Sequence, residues 1–163
     1  MTPAYVRHYL SPLGRLTMTS TDGLSLSSLT FDGGVVPASD CPLFDQTAAW
    51  LDRYFAGERP GEVPPLSPAS TSFRQALREA LLALPYGRTL TYGQLAGRLH
   101  TSARALGQSL GANRLLIVVP CHRIIGSNGR LAGYAGGLWR KISLLRLEGA
   151  EGSFSDQTVR PEV

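Results

Sequence analysis

The sequence predicts an α+β protein: a small N-terminal antiparallel sheet with one helix, joined to a mainly helical C-terminal domain that contains a helix-turn-helix. Three observations carry this. Up to Phe31 the chain falls into short, partly alternating segments cut by Ser11-Pro12 and Asp22-Gly23, the pattern of strands joined by turns. From Leu43 onward, apolar residues instead recur at helical spacing between cap and stop residues. Between the two regions, Glu58 to Ser70 holds Pro60, Pro64, Pro65 and Pro68, a stiff extended connection. The expected division is therefore residues 1–70 and residues 71–163, with a loose tail from about residue 150.

The elements follow in order. Ala4 to Leu10, Leu13 to Ser20 and Leu24 to Phe31 are expected as antiparallel strands. The last two form a hairpin on this reading, because Asp22-Gly23 suits the positive φ of a tight turn. Gly33-Gly34 opens a loop that runs to Cys41-Pro42. From Leu43 to Ala56, Thr47, Trp50, Leu51, Tyr54 and Phe55 fall at helical spacing, and Gly57 stops the helix. This lobe shows no chemistry of its own, and His8 and Cys41 are expected to be structural or exposed. In the second region Ser72, with Gln75 three residues on, has capping-box spacing. Phe73, Ala76, Leu77, Ala80, Leu81 and Leu84 share one face until Pro85-Tyr86-Gly87.

Thr91-Tyr92-Gly93-Gln94 repeats the capping spacing and opens a helix to about Leu99. His100-Thr101 makes a turn, and Ser102 caps a second helix, Ala103 to Leu110, stopped by Gly111. A turn at Gly126-Ser127-Asn128-Gly129 precedes a glycine-rich segment, Leu131 to Gly137, whose one aromatic suits a pocket for a flat ligand or a plain surface loop. A last helix, Leu138 to Leu147, sets Leu138, Ile142 and Leu145 on one face. Glu148 follows where the helix dipole disfavours an anion. That invites a role toward a partner such as His122, against the ordinary alternative of a solvated surface acid.

Composition bounds the function. The 163 residues are 43% apolar, enough for a core. No run of eighteen apolar residues occurs and no basic leader precedes an apolar stretch, so neither a membrane span nor a secretion signal is expected and the chain is expected to be cytoplasmic. Cys41 and Cys121 form no C-x-x-C pair, and His8, His100 and His122 are scattered; no metal site and no disulfide are expected. The net charge of +4 is unevenly placed. Residues 1–70 carry four arginines against seven acids, whereas residues 71–150 carry eleven cations against only Glu79 and Glu148. A basic half rich in arginine has the electrostatic character of a phosphate-binding surface, or of a generally basic soluble domain. Two short helices joined by a tight turn inside it suggest a helix-turn-helix. On the second of these helices, Ala103, Ala105, Gly107 and Ser109 surround one long cation, Arg104. Such small side chains let a backbone approach DNA closely, or let helices pack closely within the protein.

The stretch Ile117-Val118-Val119-Pro120-Cys121-His122-Arg123-Ile124-Ile125 sets a thiol, an imidazole and a guanidinium between β-branched apolar runs. The thiolate is the reactive form of cysteine and cationic neighbours lower a thiol pKa, so Cys121 reads as an activated nucleophile. An isolated cysteine also serves as a small buried hydrophobe, and the residues alone leave both readings open.

Together with Tyr92-Gly93-Gln94-Leu95-Ala96, Ala103-Arg104-Ala105-Leu106-Gly107, Asn113, Pro120-Cys121-His122-Arg123 and Gly133-Tyr134-Ala135-Gly136-Gly137, the chain resembles the O6-alkylguanine-DNA alkyltransferases, the methylated-DNA–protein-cysteine methyltransferases. The match runs without gaps from about Phe73 to Glu148; Ser11-Pro12-Leu13-Gly14 and Tyr54-Phe55-Ala56-Gly57 extend it weakly. The resemblance implies direct-reversal DNA repair: an alkylated guanine leaves the duplex stack, and its O6-alkyl group moves irreversibly to Cys121, once per molecule and without a cofactor. O4-alkylthymine is left open as a second substrate.

By position, the resemblance makes Cys121 the acceptor, His122 the base that takes its proton through a water, and Glu148 the anion that orients His122. Asn113 braces the turn around the cysteine. Tyr92 helps rotate the nucleotide and donates a hydrogen bond to the leaving guanine. Arg104 fills the gap in the stack, Ala103 and Arg123 join the DNA-binding set, and Leu110, Tyr134 and Ala135 form the base pocket. The partner implied is double-stranded DNA bound through the minor groove by a monomer, with cooperative loading left open. Two positions depart from the family pattern, Arg78 where Trp is usual and Arg114 where Pro is usual. Two other readings stand beside this one: a lesion sensor that binds damage without reacting, and a cysteine hydrolase using Cys121 and His122.

Overall fold

A computed structural model describes residues 4–31, 39–127, 131 and 133–150. They divide into two compact units, Met1–Pro68 with Arg114–Val118, and Ala69–Asn113 with Val119–Val163. The expected loop at Gly33-Gly34, the Asn128-Gly129 half of the turn and the tail beyond residue 150 lie outside the described residues.

The first unit is a three-stranded antiparallel sheet, β1 (Tyr5–Ser11), β2 (Gly14–Ser20) and β3 (Ser28–Thr30), in that order, with helix α1 (Pro42–Phe55). Ser11 opposes Gly14 across the first turn, and the Ser11 hydroxyl donates to the Gly14 carbonyl at 2.6 Å. The third strand is shorter than the expected span from Leu24 to Phe31. Asp22 explains this: its carboxylate accepts from the amides of Leu24 and Ser25 at 2.8 and 2.9 Å, a local turn that competes with ladder pairing. α1 starts with Pro42 at its first position, where a missing N–H costs nothing. Val6, Leu16, Met18, Leu29, Phe44, Leu51 and Tyr54 fill the core.

Two further segments complete this sheet unit, one from the proline-rich connection and one from beyond the expected first region. Leu66 bridges Leu26, so the proline-rich stretch is packed backbone. Leu115 bridges Leu29, with Leu29 N–H donating to Arg114 O at 2.7 Å and Leu116 N–H to Leu29 O at 3.0 Å. Residues 114–118, expected in the second region, therefore belong to the first unit. The Arg114 departure is also accounted for in part, since the atom used is a carbonyl, which proline shares.

The second unit holds α2 (Ser72–Leu82), α3 (Tyr92–Arg98), α4 (Ala103–Gly111) and α5 (Leu138–Leu147). It also has a two-residue parallel pairing that the sequence did not suggest, β4 (Leu90–Thr91) with β5 (Ile124–Ile125). α2 is capped one residue before the expected position, by the Thr71 hydroxyl on Arg74 N–H. α3 has the expected reciprocal box between Thr91 and Gln94. At its other end His100 takes φ 54°. Its N–H donates to Gly97 O and that of Thr101 to Ala96 O, so the helix-turn-helix corner is a Schellman cap. Ser102 then caps α4 on Ala105 N–H.

Candidate active site

The segment leading to the thiol is not the strand its composition suggests. Residues 116–118 form a turn in which Ile117 has φ 71°, rare for a β-branched residue. Cys121–Arg123 is a single 3-10 turn. Three residues per turn send consecutive side chains about 120° apart, so the cysteine and its two neighbours serve different places. Asn113 fixes the start of this turn: its Nδ2 donates to Val119 O and to Cys121 Sγ, both at 3.2 Å.

Cys121 lines a pocket of about 510 Å³ with Tyr92, Gly107, Leu110, Gly111, Gly133, Tyr134 and Ala135. That volume falls within the range of about 300–1,000 Å³ typical of small-ligand pockets. Gly107 and Gly111 are one helical turn apart on α4, and a Cβ at either would meet nothing within 4 Å. The absent side chains leave that wall open. The Tyr134 hydroxyl is buried with no protein partner among the described residues.

Behind the thiol, His122 is fully buried and its Nε2 lies 2.6 Å from Glu148 Oε2. Nδ1 has no partner among the described residues. With a carboxylate on Nε2, the proton belongs there and Nδ1 is left as the basic atom. Burial pushes His122 below its ordinary value, and the Arg123 and Lys141 charges add to this against the pull of Glu148. Burial alone would push Glu148 up, but hydrogen bonds from His122 and Arg123 outweigh it and hold the carboxyl far below its usual range. Burial and the neighbouring positive charges thus favour a neutral imidazole on a carboxylate.

The Cys121 thiol is pushed up by burial, against lowering contributions from Asn113 and Lys141. This runs against the expectation that the cationic neighbours His122 and Arg123 lower the thiol pKa. Arg123 does not face the thiol: its Nε donates to Glu148 Oε1 at 2.7 Å and a terminal nitrogen to Leu84 O at 2.8 Å. Activation in this arrangement needs a base.

The same contacts correct a second expectation. Arg123 is buried, 9% exposed, and is no surface contact for DNA. Ala103 and Arg104 are exposed on the first turn of α4 and do not line the pocket. The other expected site residues come together: Cys121, Tyr92, Leu110, Tyr134 and Ala135 at the pocket, and Asn113, His122 and Glu148 around the 3-10 turn.

The family model for the DNA-binding domain of 6-O-methylguanine DNA methyltransferase matches residues 72–150. The methylated-DNA–protein-cysteine methyltransferase of Haemophilus influenzae is 38% identical over 158 residues, 91% of this chain and 88% of that one. The chain belongs to the O6-methylguanine-DNA methyltransferase family. Among solved members, the Mycobacterium tuberculosis O6-methylguanine methyltransferase is 37% identical with a TM-score of 0.79, covering 89% of this chain and 92% of that one. The M. tuberculosis protein in complex with DNA gives 38% and 0.81, covering 90% and 93%. The α+β architecture of this methyltransferase matches theirs.

One buried residue escaped the sequence reading. Lys141 on α5 is 1% exposed, and its Nζ lies 5.9 Å from the centre of the Tyr92 ring. Burial brings its pKa down to about 8, opposed by Cys121. A signal existed: Lys141 is the one lysine among the sixteen cations of the sequence. Where arginine serves every surface need, a lone lysine marks a place that wants a compact charge able to change its protonation.

Proposed function

We propose that Cys121 is the alkyl acceptor of this methylated-DNA–protein-cysteine methyltransferase, in a single irreversible turnover per molecule. The family activity is direct reversal of O6-alkylguanine in DNA. The observation that carries the assignment is a buried thiol that walls a pocket, braced by Asn113, on the same turn as a buried His122 held by Glu148.

The chemistry needs little else. His122 Nδ1 takes the thiol proton through a water. The sulfur attacks the alkyl carbon, the carbon–O6 bond breaks, and its electron pair leaves with guanine. Tyr92 is at hand to donate a hydrogen bond to that leaving group: burial, then Cys121, push its phenol up, so it keeps its proton at neutral pH. The thioether product is stable, so the protein does not return to its starting state. Leu110, Tyr134 and Ala135 hold the base.

DNA is met by the minor groove on this reading, through α4. Ala103 and the other small residues allow close approach, Arg104 enters the stack, and phosphate contacts dominate affinity. No helix of the described residues is long and apolar enough to cross a membrane; the proposed setting is a cytoplasmic monomer. Intact mass after incubation with duplex containing O6-methylguanine tests the assignment. One methyl per chain, mapped to Cys121, is expected; tight binding without mass gain would favour a lesion sensor. Arg104→Ala should lower transfer from duplex by about tenfold or more, the scale of losing a plug for the unstacked base. Its reaction with free O6-benzylguanine should change little, and equal losses on both substrates would contradict the role.

A further inference from the structure

Arg123 is left without a task once it is removed from the DNA surface, yet few side chains here are so firmly held. Its Nε donates to Glu148 Oε1 at 2.7 Å, a terminal nitrogen donates to Leu84 O at 2.8 Å, and its guanidinium carbon lies 5.8 Å from the centre of the Tyr86 ring. The loop that follows α2 completes the arrangement. Gly87 N–H donates to the same Oε1 at 3.1 Å, and the Tyr86 hydroxyl donates to Leu147 O at 3.3 Å. Gly87 has φ +80°, and a Cβ there would sit 2.8 Å from Glu148 O. Only glycine lets the backbone reach that close in that conformation. The two oxygens of Glu148 are thus divided, Oε2 to His122 and Oε1 to Arg123 and Gly87.

We propose that Arg123 and the Gly87 amide form a clamp on Glu148 Oε1 that keeps His122 neutral, which makes Arg123 a positioning residue for the transfer step. The inference rests on the reading of His122 as the base. A buried carboxylate facing an imidazole alone stabilises the imidazolium, and a base that already carries the proton cannot accept one from the thiol. A guanidinium on the other oxygen answers the carboxylate's charge in advance. The imidazole then gains orientation from Oε2 without being drawn into protonation. The other groups facing His122 do not undo this. Lys141, from α5, adds positive charge. Tyr134, from the 133–137 loop, presents a ring edge-on at 6.4 Å, and Cys121 on the same turn is a thiol.

The direct test is the protonation state of the His122 ring across pH, read by nitrogen-15 NMR on the full chain. In the wild type the neutral Nε2–H form should persist at pH 7. In Arg123→Gln the midpoint should rise by about one pH unit or more, the scale of exposing a group to one unanswered opposite charge. The acid limb of the rate with O6-benzylguanine should move up with it, and Arg123→Lys, which restores a cation, should bring both back most of the way. An imidazolium at pH 7 in the wild type overturns the proposal, and this needs no variant to fold. So does an unchanged midpoint in folded Arg123→Gln, where a packing role alone would lower the rate at every pH. If the midpoint moves and the rate profile does not, the clamp stands and the assignment of His122 as base fails.

Discussion

Cys121→Ala is expected to abolish alkyl transfer while leaving affinity for duplex DNA within about twofold, since phosphate contacts that do not involve the thiol supply most of that affinity. Removing an enzyme's nucleophile costs on the order of 10⁴-fold or more. Cys41, the other cysteine, is buried at the start of α1 in the first unit. The fold should tolerate the change, because the sulfur is small and one wall of its site is the open pocket. Methyl loss from a labelled duplex, measured beside binding by anisotropy, separates the two effects. Clearance of the lesion by Cys121→Ala would sink the acceptor assignment.

The second large effect is on stability. Glu148→Ala leaves two buried partners, His122 and Arg123, facing no anion, and removal of one member of such a group costs about 3–5 kcal/mol. That is a large share of a typical domain's stability, so denaturant midpoints should fall sharply. The same carboxylate makes the wild type acid-sensitive with a defined sign. His122 and Glu148 both have folded pKa values depressed below their ordinary 6.5 and 4.5. In each window the unfolded chain binds the extra proton, so stability rises with pH there. Stability should be steady between about pH 6.5 and the onset of Lys141 titration at about 8, start to fall below pH 6.5 through His122, and fall faster below about pH 4.5 through Glu148. Glu148→Gln should remove most of the lower part of that dependence. A wild-type curve that is flat from pH 7 to pH 4 would contradict both assignments.

How much of this could be read from the chain depends on where each signal resides. α3, α4 and α5 were legible to within a residue or two because their determinants are local: Thr91 with Gln94, Ser102, and the apolar face of Leu138, Ile142 and Leu145. The third strand was overestimated because apolar composition does not reveal that Asp22 takes up two amides. The 116–123 segment forms turns despite β-branched residues that favour extended backbone, a conformation its composition does not reveal. The pocket residues were found through the family resemblance, since Tyr92, Leu110, Cys121 and Tyr134 share no sequence spacing. Arg123 misled because adjacency to Cys121 says nothing of direction on a 3-10 turn. Gly87 could not be found by periodicity, as its function is a backbone amide brought to a distant carboxylate.

The return of Leu115 and Leu116 to β3 also bears on how the chain is made. At the ribosome the sheet unit emerges first, yet it cannot finish its own ladder until residues well over halfway along have been delivered. Until then β3 offers an unanswered amide and carbonyl at Leu29, an edge open to other nascent chains. Closing it late requires a long loop to be ordered before the contact rewards it. The 3-10 turn lies just downstream of that closing segment, so assembly of the thiol's surroundings and completion of the sheet fall in the same stage of synthesis. A fragment ending in the proline-rich stretch would be left with its last strand half paired.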